Sequence, residues 1–286
     1  MLKKYLVPTI LAILLTALGG AIPITAAPGA DLGLIEAAAL KADPSHWVIL
    51  DGRPKPDWEA DHIPGAYSFC WENYTRTDEK GVEYRLFPPG EFAAALGALE
   101  IDENTPLIVY GDADKSWGGE GWDAWVLSWL GHKGPIRLLA GGIQAWRGQG
   151  FPLTKGPEKG TANRAEYRFN LKPELDISTE ELEQKKGSAV IVDVRSNFER
   201  LKGRIPGSVH ICWEKFFSGA DRRPLAPQEL KELLVSNGVD TTHPVVYYCH
   251  GGIRSGYVWL VHQLAGLPTA RNYSGGMAAW QKRDSK

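Results

Sequence analysis

The run Val245-Val246-Tyr247-Tyr248-Cys249-His250-Gly251-Gly252-Ile253-Arg254-Ser255 decides how this chain is read. Val245 to Tyr248 form an unbroken apolar segment, the pattern of a strand covered on both faces. A cysteine follows at once, then two glycines and an arginine. From Gly256 to Leu264 the sequence predicts an amphipathic helix. A thiol at a strand-to-helix turn faces unpaired N–H groups and the positive end of the helix dipole, which favour the thiolate nucleophile. Gly251 and Gly252 let the backbone curl so that several N–H groups converge. Arg254 adds a fixed positive charge. His250, Gly251, Gly252, Ile253, Arg254 and Ser255 therefore read as a loop that holds the Cys249 thiolate, or an anion bonded to its sulfur.

Working outward, the chain repeats itself. Asp51-Gly52-Arg53 returns as Asp193-Val194-Arg195, Ile63-Pro64-Gly65 as Ile205-Pro206-Gly207, and Cys70-Trp71-Glu72 as Cys212-Trp213-Glu214, all offset by 142 residues. The offset falls to 138 for Arg85 with Arg223 and Pro106 with Pro244, and to 134 for Gly141-Gly142 with Gly275-Gly276 and Trp146 with Trp280. Each copy has the same plan. A buried strand comes first (Val48 to Leu50; Val190 to Val192), then an Ile-Pro-Gly turn and a helix (Glu91 to Leu99; Gln228 to Ser236). A second buried strand (Leu107 to Tyr110; Val245 to Tyr248), a loop and a further helix follow. This predicts an α/β chain of two tandem domains, each a mainly parallel sheet flanked by helices. The expected boundaries are residues 31–151 for domain 1, 152–173 for a polar linker and 174–286 for domain 2.

The copies differ where chemistry would sit. Gly111 takes the place of Cys249, and the loop Asp112 to Gly121 is four residues longer and carries Asp112, Asp114 and Glu120. An acidic loop does not stabilise a thiolate, so copy one is expected to be inactive, its acidic loop a candidate docking surface.

Composition bounds the rest. The 286 residues carry a net charge of −2, with 43% hydrophobic and 23% charged residues. That is the balance of a globular protein, without the basic field of a nucleic-acid binder. Lys3 and Lys4 precede an apolar run from Leu6 to Leu18, and small residues follow to Ala27. This pattern predicts a secretory signal over residues 1–27, a periplasmic or secreted protein, and no membrane attachment after cleavage. Three cysteines are too few for a disulfide framework. No clustered His/Cys set is present, so no metal site is expected.

The Asp-x-Arg strand end, the Ile-Pro-Gly turn, the Cys-x-x-Gly-x-Arg-Ser loop and the final Gly-Gly-x-x-Ala-Trp together resemble the rhodanese-domain sulfurtransferases. The resemblance implies two tandem rhodanese-like domains, the second catalytic, without a cofactor. It implies that Cys249 takes the outer sulfur of a small donor as a persulfide and passes it to cyanide, a thiol or a protein acceptor. Backbone N–H groups of His250 to Arg254 would stabilise the charged sulfur. Arg254 would help bind an anionic donor, with Arg195 as a second cation. The loop Cys-His-Gly-Gly-Ile-Arg departs from the Cys-Arg-Lys-Gly-Val-Thr of thiosulfate-preferring members and the Cys-Gly-Ser-Gly-Val-Thr of mercaptopyruvate-preferring ones, which leaves the donor open.

Two other classes compete. A phosphatase would use Cys-x5-Arg to enclose a phosphate, whereas Cys249-x4-Arg254 is one residue shorter. An exported persulfide carrier or redox partner would turn over small donors poorly. Cys70 and Cys212 read as small core residues, with a Cys212–Cys249 redox pair or a Cys70–Cys212 disulfide as alternatives. Asp51 and Asp193 read as turn-holding groups, and Trp71 and Trp213 as core.

Overall fold

The computed structural model describes residues 30–156, 164–185, 187–268 and 270–283. The expected leader lies outside them. No described helix is long and apolar enough to cross a membrane.

Domain 1 contains strands β1 (Leu32–Ile35), β2 (Val48–Asp51), β3 (Ala66–Ser68), β4 (Thr75–Arg76), β5 (Arg85–Leu86), β6 (Leu107–Tyr110) and β7 (Ile136–Leu139). Its helices are α1 (Ala37–Ala42), α2 (Lys55–Ala60), α3 (Pro89–Ala98), α4 (Gly119–Trp129) and α5 (Gly142–Gly148). Domain 2 follows with β8 (Val190–Asp193), β9 (Val209–His210), β10 (Phe217–Ser218), β11 (Arg223–Pro224), β12 (Val245–Tyr248) and β13 (Ala270–Asn272). Its helices are α6 (Thr179–Gln184), α7 (Asn197–Leu201), α8 (Pro227–Ser236), α9 (Ile253–Leu264) and α10 (Gly276–Lys282).

Both main sheets are parallel, ordered β1-β7-β6-β2-β3 and β13-β12-β8-β9. Among the described residues, the second has no counterpart of the β1 edge strand. In its place is a single parallel bridge, Asp176 to Asn272. Every residue of β6 and β12 is buried, which is why these strands read as unbroken apolar runs.

The repeated motifs have structural work. Arg195 donates Nε to Asp193 Oδ1 at 2.9 Å and Nη2 to Asp193 Oδ2 at 2.7 Å, and its Nη2 also reaches the Gly203 carbonyl. The Tyr248 hydroxyl donates to Asp193 and receives the Ile205 N–H. Asp51, Arg53, Tyr110 and Ile63 repeat this arrangement in domain 1. Each aspartate thus ties a strand end to the Ile-Pro-Gly turn through a neighbouring tyrosine, and its charge is offset by a forked arginine.

Two expectations need correction. The helix after Cys249 begins at Ile253 and is not amphipathic. Ile253 through His262 are all buried, because α9 has the sheet on one side and α4 of domain 1 on the other. The acidic loop of copy one is largely inward: Asp112 and Glu120 are buried, while Asp114 alone of the three is exposed and lies 3.7 Å from Arg222. The described part of the expected linker is hydrogen-bonded to domain 1. Ala165, Asn170 and Lys172 donate backbone bonds to Gly97, Leu130 and Trp129 of domain 1.

α4 and α9 approach so closely that a side chain at Gly121 would collide with the Tyr257 backbone. Gly121→Ala is therefore expected to destabilise the protein by about 1–3 kcal/mol through overpacking. Urea unfolding measures this, and an unchanged midpoint would mean the helices separate at no cost.

Candidate active site

Cys249 stands at the end of β12 and is 1% exposed. The Gly252 N–H donates to its sulfur at 3.1 Å and the Ser255 hydroxyl at 3.5 Å. Both donors lie in the first turn of α9 or at its N-cap, so the sulfur sits at the positive end of a twelve-residue helix. Gly252 has φ of +90°, and a side chain there would press on the Ser274 backbone, so glycine is required. The loop's carbonyls are held by α10: Met277 N–H donates to Cys249 and Ala278 N–H to His250. Asn272 Nδ2 donates to the Gly252 carbonyl at 3.0 Å. The Gly-Gly-x-x-Ala-Trp motif thus fixes the loop from behind.

Arg254 is buried beneath Trp117, with its guanidinium carbon 5.8 Å from the indole centroid. Its two terminal nitrogens bind the two oxygens of Glu199 at 2.7 and 2.6 Å. Burial works against the Arg254 charge, but Glu199 and the adjacent Cys249 sulfur outweigh it and raise the pKa. Burial likewise opposes ionised Glu199, yet Arg254 and Ser196 hold its pKa down at about 2. Ile253 packs in the core beside the loop.

His250 and Arg195 both have charged partners in the structure. His250 faces domain 1, its Nε2 3.6 Å from Glu83 and its ring edge-on to Tyr84 at 5.6 Å. Arg195, expected as a second cation for the donor, is already paired within the fold. Its guanidinium is locked onto Asp193, as Arg53 is onto Asp51 in the copy that has no cysteine.

Domain 1 supplies residues that the sequence reading missed. Tyr84, between β4 and β5, covers Gly251 so closely that any side chain at 251 would strike its ring. Trp117, 56% exposed, roofs Arg254. Both sit at positive φ, +60° and +55°, a conformation that bulky residues adopt only under strain. Arg222 of domain 2, the repeat partner of Tyr84 at offset 138, has φ of +54° and lines a small cavity with Gly111 and Glu120. Each domain's hairpin therefore caps the other domain's loop. The matching offset was the only signal of this in the sequence, and it says nothing of which loop is capped.

In copy one, a side chain on Gly111 would collide with the Glu120 carboxylate. A carboxyl thus stands where copy two holds its sulfur. The cysteines Cys70, Cys212 and Cys249 are all free. Burial pushes the Cys70 thiol up to about 12 and also raises Cys212.

The Rhodanese-like domain family matches residues 35–149 and 178–283, both halves of the chain. The chain belongs to the rhodanese family. It is similar to the sulfur carrier protein TtuD of Thermus thermophilus, 28% identical over 244 residues, covering 78% of this chain and 83% of the relative. Human 3-mercaptopyruvate sulfurtransferase is 28% identical over 259 residues, 84% of either chain, and bovine thiosulfate sulfurtransferase 28% over 245 residues, 78% of either. Among solved structures, wild-type EanB superposes with a TM-score of 0.77 at 21% identity, over 87% of this chain and 67% of that one, a likeness of fold. The rhodanese hairpin–loop contacts described above accordingly occur between two copies of one family domain.

Proposed function

We propose that sulfur crosses this protein as a persulfide on Cys249. The chain is a sulfurtransferase of the tandem rhodanese type. The Cys249 thiolate attacks the transferable sulfur of a small donor: the outer sulfur of a thiosulfate-type donor, or the C3 thiol sulfur of a 3-mercaptopyruvate-type donor, whose C–S bond breaks as the pyruvate enolate leaves. With thiosulfate, a Cys249 S–S bond forms as the donor's S–S bond breaks, and sulfite leaves with the electron pair. Cyanide or a thiolate then takes the outer sulfur and the thiolate returns. The observation that carries this reading is the pair of donors on Sγ, Gly252 N–H and Ser255 Oγ–H, at the α9 N-terminus. They favour negative charge on sulfur before and after transfer.

Domain 1, with Gly111 in place of the cysteine, acts as a non-catalytic partner that closes the site through Tyr84 and Trp117. The deep burial of Cys249 favours slim small-molecule donors and a slim acceptor end, and is compatible with a carrier that serves a protein acceptor through a thin tail. The Lys3-to-Ala27 pattern supports export to the periplasm or beyond. The test is intact mass after incubation with thiosulfate or 3-mercaptopyruvate: a gain of about 32 Da, one sulfur atom, on Cys249 is expected. Turnover with cyanide or dithiothreitol separates an enzyme from a carrier that loads but does not turn over. An aryl phosphatase assay is expected to be blank.

A further inference from the structure

We infer that Glu199 sets the charge of the donor. By binding both terminal nitrogens of Arg254 it occupies the loop's guanidinium, and the Cys249 site takes sulfur from donors with one negative charge or none in preference to a dianion such as thiosulfate. The inference rests on the persulfide reading and narrows it.

The geometry is specific. The Arg254–Glu199 fork is bidentate, at 2.7 and 2.6 Å, the arrangement an arginine would otherwise offer to an oxyanion. Glu199 arrives pre-oriented. Ser196 N–H and Oγ donate to its Oε2 at 3.0 and 2.8 Å, in a capping box that opens α7. A donor cannot recruit Arg254 without breaking bonds that the fold has already made. Other charges near the loop do not compensate. Arg195 is committed to Asp193, and Glu83 stands 3.6 Å from His250. A dianion reaching the loop meets a guanidinium already neutralised by Glu199, with the Glu83 carboxylate beside His250. A donor with a single charge avoids most of that repulsion. Glu199 touches Arg254 rather than the sulfur, so it is a positioning residue. The sequence contained it without marking it, because it lies 55 residues from Arg254 and looks like an ordinary helix-start glutamate.

Methanethiosulfonate and thiosulfate present the same terminal sulfur but differ by one charge. In either case the thiolate takes that sulfur and sulfinate or sulfite leaves with the electron pair. With cyanide as acceptor, the wild-type full chain is expected to show the higher kcat/KM for the monoanion. Glu199→Gln keeps a capping-box residue at that position and is expected to raise kcat/KM for thiosulfate by about tenfold, mainly through KM. A wild-type measurement stands beside it in case the variant folds poorly. Methanesulfonate is expected to inhibit at lower concentration than sulfate. A thiosulfate preference in the wild type, a sulfate-first inhibition order, or a donor ratio in Glu199→Gln within about twofold of wild type would overturn the inference. Failure of the persulfide reading is a different result, visible as no mass gain on Cys249 with either donor.

Discussion

Cys249→Ser is expected to lose sulfur transfer by three or more orders of magnitude and to show no persulfide by intact mass with any donor [~10³ or more, P259, P270]. The effect is large because nothing else at the site can carry the sulfur. Cys212 is half-buried and its thiol is raised by burial first, then by Glu214. Cys70 is buried in domain 1 with its thiol pushed up to about 12. Serine preserves the strand end and can still receive the Gly252 N–H, so the loop should fold unchanged. Its hydroxyl is a far weaker nucleophile and forms no sulfur–sulfur bond. Melting temperature within about two degrees of wild type, with transfer gone, is the expected pair of results. A serine variant that keeps full transfer would remove Cys249 from the mechanism, and with it the reading of the α9 N-terminus as the sulfur site.

Much of the architecture was legible in the chain itself. β6 and β12 lie where the unbroken apolar runs put them, from Leu107 to Tyr110 and from Val245 to Tyr248, because strands buried on both faces need no polar residue. The α3 and α8 helices match the expected ranges to within two residues at either end, each beginning at a proline whose fixed φ suits a first turn. What could not be read was anything that depends on one copy meeting the other. The α9 sequence carries His262 and Gln263 among apolar residues and so suggested a wet face. His262 is in fact bonded to the Tyr247 hydroxyl and the Pro268 carbonyl inside the core. Arg195 and Arg254 are alike as residues, and only their partners, Asp193 two residues away and Glu199 fifty-five away, separate a structural arginine from one beside the sulfur. Tyr84 and Trp117 reach Gly251 and Arg254 from a different domain. A local pattern holds no record of such contacts.

The acidic loop of copy one gives the other large effect. Glu120 is buried and its Oε2 lacks a partner, as do both oxygens of neighbouring Asp123. Burial first, and then Asp112 and Asp51, push Glu120 from its ordinary 4.5 up to about 7; Asp123 is also raised well above its ordinary value, by burial first and then by Glu120 and Asp51. Tyr257, whose hydroxyl is also unpartnered, and Arg222 line the cavity beside Glu120, and neither is bonded to the carboxyl. The folded protein therefore holds a proton on Glu120 that the unfolded chain gives up near 4.5. Below that value the group costs nothing. As pH rises towards about 7 the unfolded state gains by ionising where the folded state cannot, and above 7 the whole penalty, on the order of 3 kcal/mol, is present. Glu120→Gln keeps the shape and removes the ionisation. It is expected to unfold like the wild type at about pH 5 and to be more stable by up to ~3 kcal/mol at about pH 8.5, measured by urea unfolding at both values. A loss of stability of equal size at both pH values would mean that the carboxylate is held by bonds and not merely tolerated. Because Glu120 stands at the start of α4, against Tyr257 of α9, the expected gain is in the same helix pair that presents Gly252 and Ser255 to the Cys249 sulfur.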